Sequence, residues 1–180
     1  MPLGSAFYAR STTLVARELL GKVLERRRAG KVLAATITET EAYLGARDAA
    51  SHSYRGPTSR SSIMFGPPGV AYVYLIYGMY HCLNVVTEPE GVGSAVLIRA
   101  LDPLVTGGDP VPGWTRRTLG GPGRLCREFG VDLRMLGWDL TRSKLRILER
   151  PRVPDSDLVV GPRVGIKRSA DLPLRFRVRA

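Results

Sequence analysis

Short runs in which apolar and polar residues alternate recur along this chain of 180 residues, and alternation with a period of two is typical of β-strands. The pattern predicts strands at residues 22–28, 31–41, 93–101, 145–148 and 174–178. Only Ala29-Gly30 separates the first two strands, which predicts a hairpin there.

Helical patterns are fewer and shorter. Ser11-Thr12-Thr13 precedes LVARELL and Gly21 follows it, so capping residues predict a helix between them. A second helix, RLCREFG, is predicted after Gly121-Pro122-Gly123. Residues 107–123 hold nine glycines and prolines, which predicts an excursion over the surface.

The densest aromatic stretch is YVYLIYGMYHCLN, residues 72–84, which holds four of the seven tyrosines. It predicts two strands joined at a tip of Tyr77, Gly78 and Met79. Turns usually carry small polar residues, so the needs of folding alone do not explain a large aromatic and a thioether at the tip. Side chains that wedge between base steps of DNA have this character.

A polar pattern marks the second predicted strand, VLAATITETEAY. A period of two places Glu39, Glu41 and Tyr43 on one face, where two carboxylates repel each other. A solvated strand face explains this segment best when it is taken alone. The loop-rich residues 44–68 that follow contain His52, and long irregular segments are often binding loops, which favours a chemical role for one carboxylate.

Three arginines are candidates for specific contacts. Arg99 interrupts the apolar strand 93–101, and a buried arginine needs an anionic partner. That partner is either Asp102, in a structural ion pair, or a catalytic carboxylate or its water. Arg60 in the loop and Arg124 at the second helix are candidate DNA-backbone contacts, although an ordinary proline-led helix start explains the surroundings of Arg124 equally well.

The charge balance narrows the class of partner. The chain has 27 basic and 16 acidic residues, a net charge of +11 and a pI near 10.3, so its surface attracts polyanions. The base composition of the genome explains why arginine replaces lysine, but it does not explain the excess of basic over acidic residues. No segment predicts a long basic amphipathic helix, a membrane span or a signal peptide, which favours nucleic acid over membrane and a cytoplasmic location.

Common catalytic and metal-binding motifs are missing from the sequence. It has no Walker loop, no G-x-S-x-G and no zinc deaminase pattern, and its two cysteines, Cys82 and Cys126, are predicted to be buried reduced thiols. We therefore expect no metal and no cofactor. What remains is a carboxylate, stacking aromatics, a histidine, a wedge and a basic surface, which suit extrusion of a base and hydrolysis of its N-glycosidic bond.

At these residues the sequence resembles the alkyladenine (3-methyladenine) DNA glycosylases of the human and bacterial type, also called methylpurine glycosylases. The matching stretches occur in family order over nearly the whole chain: ETEAYLG (39–45), His52, MFGPPG (64–69), YVYLIYGMYHCLN (72–84), VLIRAL (96–101), GPGRLC (121–126), RVGI (163–166) and PLRF (173–176). ETEAY together with YxYxxYGMxxCxN is a specific combination of motifs.

The resemblance implies a role for each matching position. Glu41 is similar to the general base that activates the hydrolytic water, with Arg99 and the backbone of Val164 helping to hold that water. Tyr43 on one side, and His52 with Tyr74 on the other, would sandwich the flipped base. Of the remaining positions, the resemblance implies that Tyr77 intercalates, beside Met79 at the tip, and that Asn84 crowds the 2-amino group of guanine.

The resemblance also implies the fold, the substrate and the class of reaction. The expected fold class is α/β of the α+β type: residues 1–180 as one compact domain around a curved, mainly antiparallel sheet with flanking helices and a protruding β-hairpin. The expected enzyme is a monomeric, monofunctional hydrolase that removes alkylated or deaminated purines from double-stranded DNA and is nucleoid-associated through that DNA. Residues 105–120 are shorter and richer in Gly and Pro than in many relatives, which puts backbone contacts from that side in doubt.

Two alternatives from other classes remain open at this point. A non-catalytic module that binds damaged or structured nucleic acid would use the same charge and wedge, but would not need Glu41 and Arg99 to converge in a pocket. A small-molecule hydrolase on the same scaffold would not need an exposed Tyr77.

Overall fold

Eight β-strands dominate the computed structural model, which describes residues 1–103 and 111–179. The strands run over β1 Val23–Arg28, β2 Lys31–Tyr43, β3 Ala71–Ile76, β4 Tyr80–Thr87, β5 Ser94–Pro103, β6 Leu145–Leu148, β7 Leu158–Gly161 and β8 Arg175–Val178. The helices are α1 Ser5–Tyr8, α2 Thr12–Glu18, α3 Arg116–Leu119 and α4 Pro122–Phe129. The predicted strands and the two predicted helices are thus present, with ends shifted by no more than two residues.

The strands form one antiparallel sheet in the order β3-β4-β5-β2-β1-β6, to which β8 and β7 are added beside β2. β2 pairs with β5 along one edge. On its other edge residues 31–36 pair with β1 and residues 39–41 pair with β8. Because two strands share that edge in succession, the sheet curves around β2. The predicted fold class, α/β of the α+β type around a curved antiparallel sheet, is confirmed.

A β-bulge interrupts the β2–β5 pairing where chemistry was predicted. Ile37 pairs with Leu101 and Glu39 with Ala100, but Thr40 already pairs with Ile98, so the register shifts twice within four residues. Bulges bend a strand and redirect its side chains. This one lies where β8 joins, and it brings the Arg99 side chain beside the carboxylates of β2.

The core lies between the sheet and the helices. α2 packs Val15 and Ala16 against it, and α4 packs Leu125, Cys126 and Phe129. α4 begins at Pro122 and ends at Phe129. It is capped by Gly130, whose φ of 62° is the left-handed conformation that glycine adopts without steric cost. Cys82 and Cys126 are free and buried, as predicted.

The predicted surface excursion over residues 107–123 contains a short helix that its glycines and prolines did not predict. Residues 107–110 lie outside the described part of the chain, but Arg116–Leu119 form α3. The Thr115 hydroxyl accepts from the Thr118 backbone N–H at 3.1 Å, and the Thr118 hydroxyl accepts from the Thr115 N–H at 2.9 Å. This capping box starts a helix in spite of the surrounding glycines and prolines. Within residues 1–103 and 111–179 no helix has the length and apolar character needed to cross a membrane.

Candidate active site

A cavity of about 220 Å³ opens beside the bulge, between β2, the 44–68 loop, the β3–β4 hairpin and the segment after β7. Its lining includes every predicted catalytic and base-contacting position: Glu41, Tyr43, His52, Tyr74, Asn84, Arg99 and Val164. These residues come from six separate parts of the sequence. The fold therefore assembles them in one place, which a solvated strand face would not require.

Glu41 is at the base of this site, and its side chain is 0% exposed. One carboxylate oxygen, Oε2, accepts from the Tyr43 hydroxyl at 2.9 Å. The other, Oε1, accepts from the Val164 backbone N–H at 2.9 Å and lies 3.4 Å from Nε of Arg99. Two hydrogen bonds and the neighbouring Arg99 cation, from three segments, thus fix the orientation of this carboxylate. The simpler interpretation of Glu39-Thr40-Glu41, here called the ETE pattern, was an exposed strand face, and it is wrong for Glu41.

Arg99 does not form the ion pair with Asp102 that its place in the sequence allowed. Its Nε donates to Glu39 Oε1 at 2.9 Å, and Asp102 instead accepts from Arg116 at 2.8 Å. The bulge explains the difference, because it moves Arg99 towards the face that carries Glu39 and Glu41.

Aromatic rings form the wall opposite the carboxylate. The rings of His52 and Tyr74 meet edge to face with centroids 4.7 Å apart, and Tyr72 lies 5.3 Å from Tyr74. His52 Nδ1 is 2.8 Å from the Tyr72 hydroxyl. Burial, and then the nearby Arg60 guanidinium, lower the pKa of His52 below its ordinary 6.5, so the imidazole is neutral at neutral pH. Burial raises the pKa of the Tyr43 and Tyr74 hydroxyls, so both stay protonated, and that of Tyr43 donates to Glu41.

Sequence reasoning missed Tyr72 as part of the site. Tyr72 lines the cavity, and its carbonyl accepts from the Asn84 side-chain amide at 3.1 Å. The signal was available, because a period of two places Tyr72 and Tyr74 on the same face of β3. Asn84 is itself buried, and this bond fixes its amide against the cavity.

A buried ion pair behind the cavity was also missed. Asp48 and Arg163 are both 0% exposed, and Arg163 Nη1 and Nη2 donate to the two Asp48 carboxylate oxygens at 2.5 and 2.8 Å. The guanidinium also lies 4.6 Å from the centre of the Tyr43 ring. Asp48 belongs to the loop that carries His52, and Arg163 directly precedes Val164. The pair therefore ties together two segments that line the cavity.

The hairpin tip, residues 77–79, does not line this cavity, although the preceding Ile76 does. Tyr77 is 82% exposed and Met79 is 66% exposed. Tyr77 has a φ of 53° and Gly78 a φ of 69°, so the bulky residue occupies the left-handed region that glycine and asparagine prefer. An exposed aromatic in this conformation is costly for folding and points to selection for a contact outside the chain.

The two predicted DNA-backbone arginines are both exposed. The exposed Arg60 guanidinium is 4.9 Å from the centre of the Tyr74 ring, next to the aromatic wall. Arg124 is exposed at the start of α4, where its Nη2 donates to the Gly120 carbonyl at 2.5 Å. Among the described residues no cluster of three or more histidine, cysteine, aspartate or glutamate side chains is placed to hold a metal ion.

Comparison with known proteins gives the family. The family model described as methylpurine-DNA glycosylase (MPG) matches residues 6–180. Proteins of Anaeromyxobacter dehalogenans (strain 2CP-C), Legionella pneumophila (strain Lens) and Myxococcus xanthus (strain DK1622) are 50, 47 and 44% identical to the chain. The matches cover 99, 96 and 98% of this chain and 84, 92 and 90% of the three relatives. Each relative carries a name that contains the words 3-methyladenine DNA glycosylase. The cavity thus occurs in a DNA-repair hydrolase, and the chain belongs to the methylpurine-DNA glycosylase family.

Proposed function

We propose that this protein flips alkylated or deaminated purines out of double-stranded DNA into the cavity and hydrolyses the N-glycosidic bond, leaving an abasic site. The substrates are 3-methyladenine, hypoxanthine and ethenoadenine lesions, and the protein acts as a monomer. The names of its relatives support 3-methyladenine as the reference substrate.

The observation that carries this proposal is the buried Glu41 carboxylate, held by Tyr43, Val164 and Arg99 at the base of an aromatic cavity. A carboxylate in this position can take a proton from water and can stabilise positive charge that develops on the sugar. Burying a carboxylate costs free energy, and a module that only binds DNA gains nothing from it. A catalytic role for Glu41 is therefore favoured over the binding module.

Base recognition follows from the walls of the cavity. Tyr43 on one side, and His52 with Tyr74 on the other, stack on the faces of the flipped base. The neutral imidazole of His52 does not repel a cationic purine such as 3-methyladenine. Asn84, held by the Tyr72 carbonyl, excludes the 2-amino group of guanine.

DNA approaches from the side of the hairpin. Tyr77 enters the stack where the flipped base was, and Met79 packs beside it. Arg60 and Arg124 contact phosphates on either side, within a surface whose net charge is +11. The exposed tip also argues against a small-molecule hydrolase, which has no use for it.

The test is base release from a panel of lesion duplexes, followed by alkali to reveal abasic sites. Glu41→Gln keeps the shape of the side chain and removes its basicity, so it should bind lesion DNA normally and lose base release by at least about a thousandfold. Glu90→Gln, an exposed carboxylate away from the cavity, is the matched control and should behave like the parent. Release by Glu41→Gln near the parental rate refutes the mechanism. Tight lesion binding by the parent with no release on any duplex identifies the non-catalytic module instead.

A further inference from the structure

Glu39 is the carboxylate of the ETE pattern that the proposed chemistry does not use. It lies at the bulge of β2, two residues before Glu41, and does not line the cavity. Its Oε1 accepts from Nε of Arg99 at 2.9 Å and from Nε of Arg175 at 2.5 Å. All three side chains are largely buried.

Arg99 is shared unequally between the two carboxylates. Its Nε is 2.9 Å from Glu39 Oε1 but 3.4 Å from Glu41 Oε1, so the hydrogen bond goes to Glu39 and only a looser ion pair goes to Glu41. Arginine ordinarily closes on a carboxylate through two parallel hydrogen bonds. Here Glu39 takes the Nε–H, which holds the guanidinium beside Glu41 without letting it close on that carboxylate.

We propose that Glu39 is a positioning residue for hydrolysis: it holds Arg99 at a distance at which Glu41 keeps an oxygen available for the attacking water. Without Glu39, Arg99 turns to Glu41 and forms a two-bond ion pair that occupies the oxygens needed by the water. Arg175 from β8 balances the extra negative charge, which lets two carboxylates stand two residues apart in a largely buried place. This inference rests on the proposed function, because it needs Glu41 to act on water.

The experiment compares Glu39→Gln with Glu25→Gln. The amide oxygen of glutamine still accepts a hydrogen bond, but without the negative charge it holds Arg99 less strongly than the charged Glu41 carboxylate attracts it. Glu25 is a fair control, because this buried carboxylate on neighbouring β1 also accepts from two arginines, Arg146 at 2.8 Å and Arg27 at 3.2 Å, away from the cavity. Thermal unfolding, affinity for a duplex carrying an uncleavable abasic analogue, and the single-turnover rate on a lesion duplex are measured for each variant. A merely structural carboxylate would lower Tm in both variants and leave the single-turnover rate of the folded protein unchanged.

We expect Glu39→Gln to lower the single-turnover rate by about tenfold or more at unchanged DNA affinity, the size of effect seen when an outer-shell partner of a site residue is lost. Glu25→Gln should keep the rate within about twofold of the parent. Because Glu39 acts through Arg99, adding Glu39→Gln to Arg99→Gln should change the rate by no more than about twofold. A Glu39→Gln rate near the parental one, or an equal loss in both backgrounds, overturns the proposal.

Two further variants keep the result interpretable. If Glu39→Gln does not fold, the charge-balanced variant Glu39→Gln with Arg175→Gln decides in its place, with the same loss of rate expected. Glu41→Gln is assayed in parallel: release by the parent and none by Glu41→Gln upholds the proposed function, and the Glu39 result then stands by itself. If the parent protein releases no base from any duplex, the proposed function is wrong, and the role of Glu39, which depends on it, is wrong as well.

Discussion

Replacement of Arg163 by methionine tests whether the buried ion pair behind the cavity holds the site together. Methionine keeps an unbranched side chain but removes the guanidinium, which donates to Asp48 and to the carbonyls of Ala42 and Ser169. Asp48 then remains buried with only the backbone N–H groups of Leu44 and Ala50 as donors. A carboxylate that is 0% exposed has no water to replace the lost cation.

The expected cost is large for a single substitution. Removing one partner of a buried ion pair costs about 3–5 kcal/mol, a substantial part of the roughly 5–15 kcal/mol that stabilises a folded domain. At about 2–4 °C per kcal/mol for a chain of this size, Tm should fall by roughly 6–20 °C. Folded Arg163→Met should also lose single-turnover rate, because the next residue, Val164, donates its N–H to Glu41.

Arg134→Met is the matched control. Arg134 also pairs with an aspartate, Asp132, at 2.6 Å, but its side chain is 83% exposed. Water screens the charges of an exposed pair, so this variant should melt close to the parent. The two pairs have similar N–O distances, so the expected difference comes from burial and from the two carbonyls that only Arg163 contacts. Circular dichroism melts of both variants at one scan rate check the difference, and an Arg163→Met shift no larger than the Arg134→Met shift refutes the reasoning.

The pH dependence of the same variant gives a second check. Burial by itself raises the pKa of Asp48, but hydrogen bonds from Arg163 and from the Ala50 and Leu44 backbone N–H groups hold it below its ordinary 3.8. A lowered carboxyl pKa contributes stability that is present above the ordinary value and is lost as the pH falls through the lowered one. The Tm deficit of Arg163→Met should therefore be largest near neutral pH and should narrow in acid.

Three further predictions concern the hairpin tip, the histidine and a glycine. Tyr77→Ala should weaken binding to a lesion in duplex DNA by about 1–3 kcal/mol, measured by fluorescence anisotropy, and should leave Tm unchanged because the side chain is exposed. Unchanged affinity for the lesion would mean that Tyr77 does not act as a wedge. Burial lowers the pKa of His52 below 6.5, so the stability that the neutral ring contributes is present above pH 6.5 and is lost as the pH falls. Between about pH 7 and 5, Tm should therefore drop more steeply for the parent than for His52→Gln. Parallel plots of Tm against pH would contradict this. Gly93 has a φ of 76°, and a Cβ added there would lie 2.7 Å from the Phe65 ring, whereas Gly56 has a φ of 94° and open space around it. In urea unfolding, Gly93→Ala should therefore lose about 1–3 kcal/mol more stability than Gly56→Ala. Equal losses would mean that the Phe65 ring moves aside without cost.

The sequence determined the local elements and the chemistry that they carry. Alternation of apolar and polar residues predicted the strands, and the residues at 77–79 marked the tip that the structure leaves exposed. Period two placed Glu41 and Tyr43 on one face of β2, and both line the cavity. These properties depend on neighbours within a few residues, because side-chain periodicity and turn preferences are local.

Only the tertiary structure decided which groups touch. The ETE pattern alone favoured a solvated face, yet the Glu41 side chain is fully buried, where it contacts Tyr43, Val164 and Arg99. The partner of Arg99 was left open between Asp102 and a catalytic carboxylate, and a shift in strand register decided it. Asp48 and Arg163 are 115 residues apart in the sequence, and no local pattern links them. Burial and ion pairing depend on how the sheet curves as a whole, so the sequence supplied the functional groups of this glycosylase and the curved sheet decided how they meet.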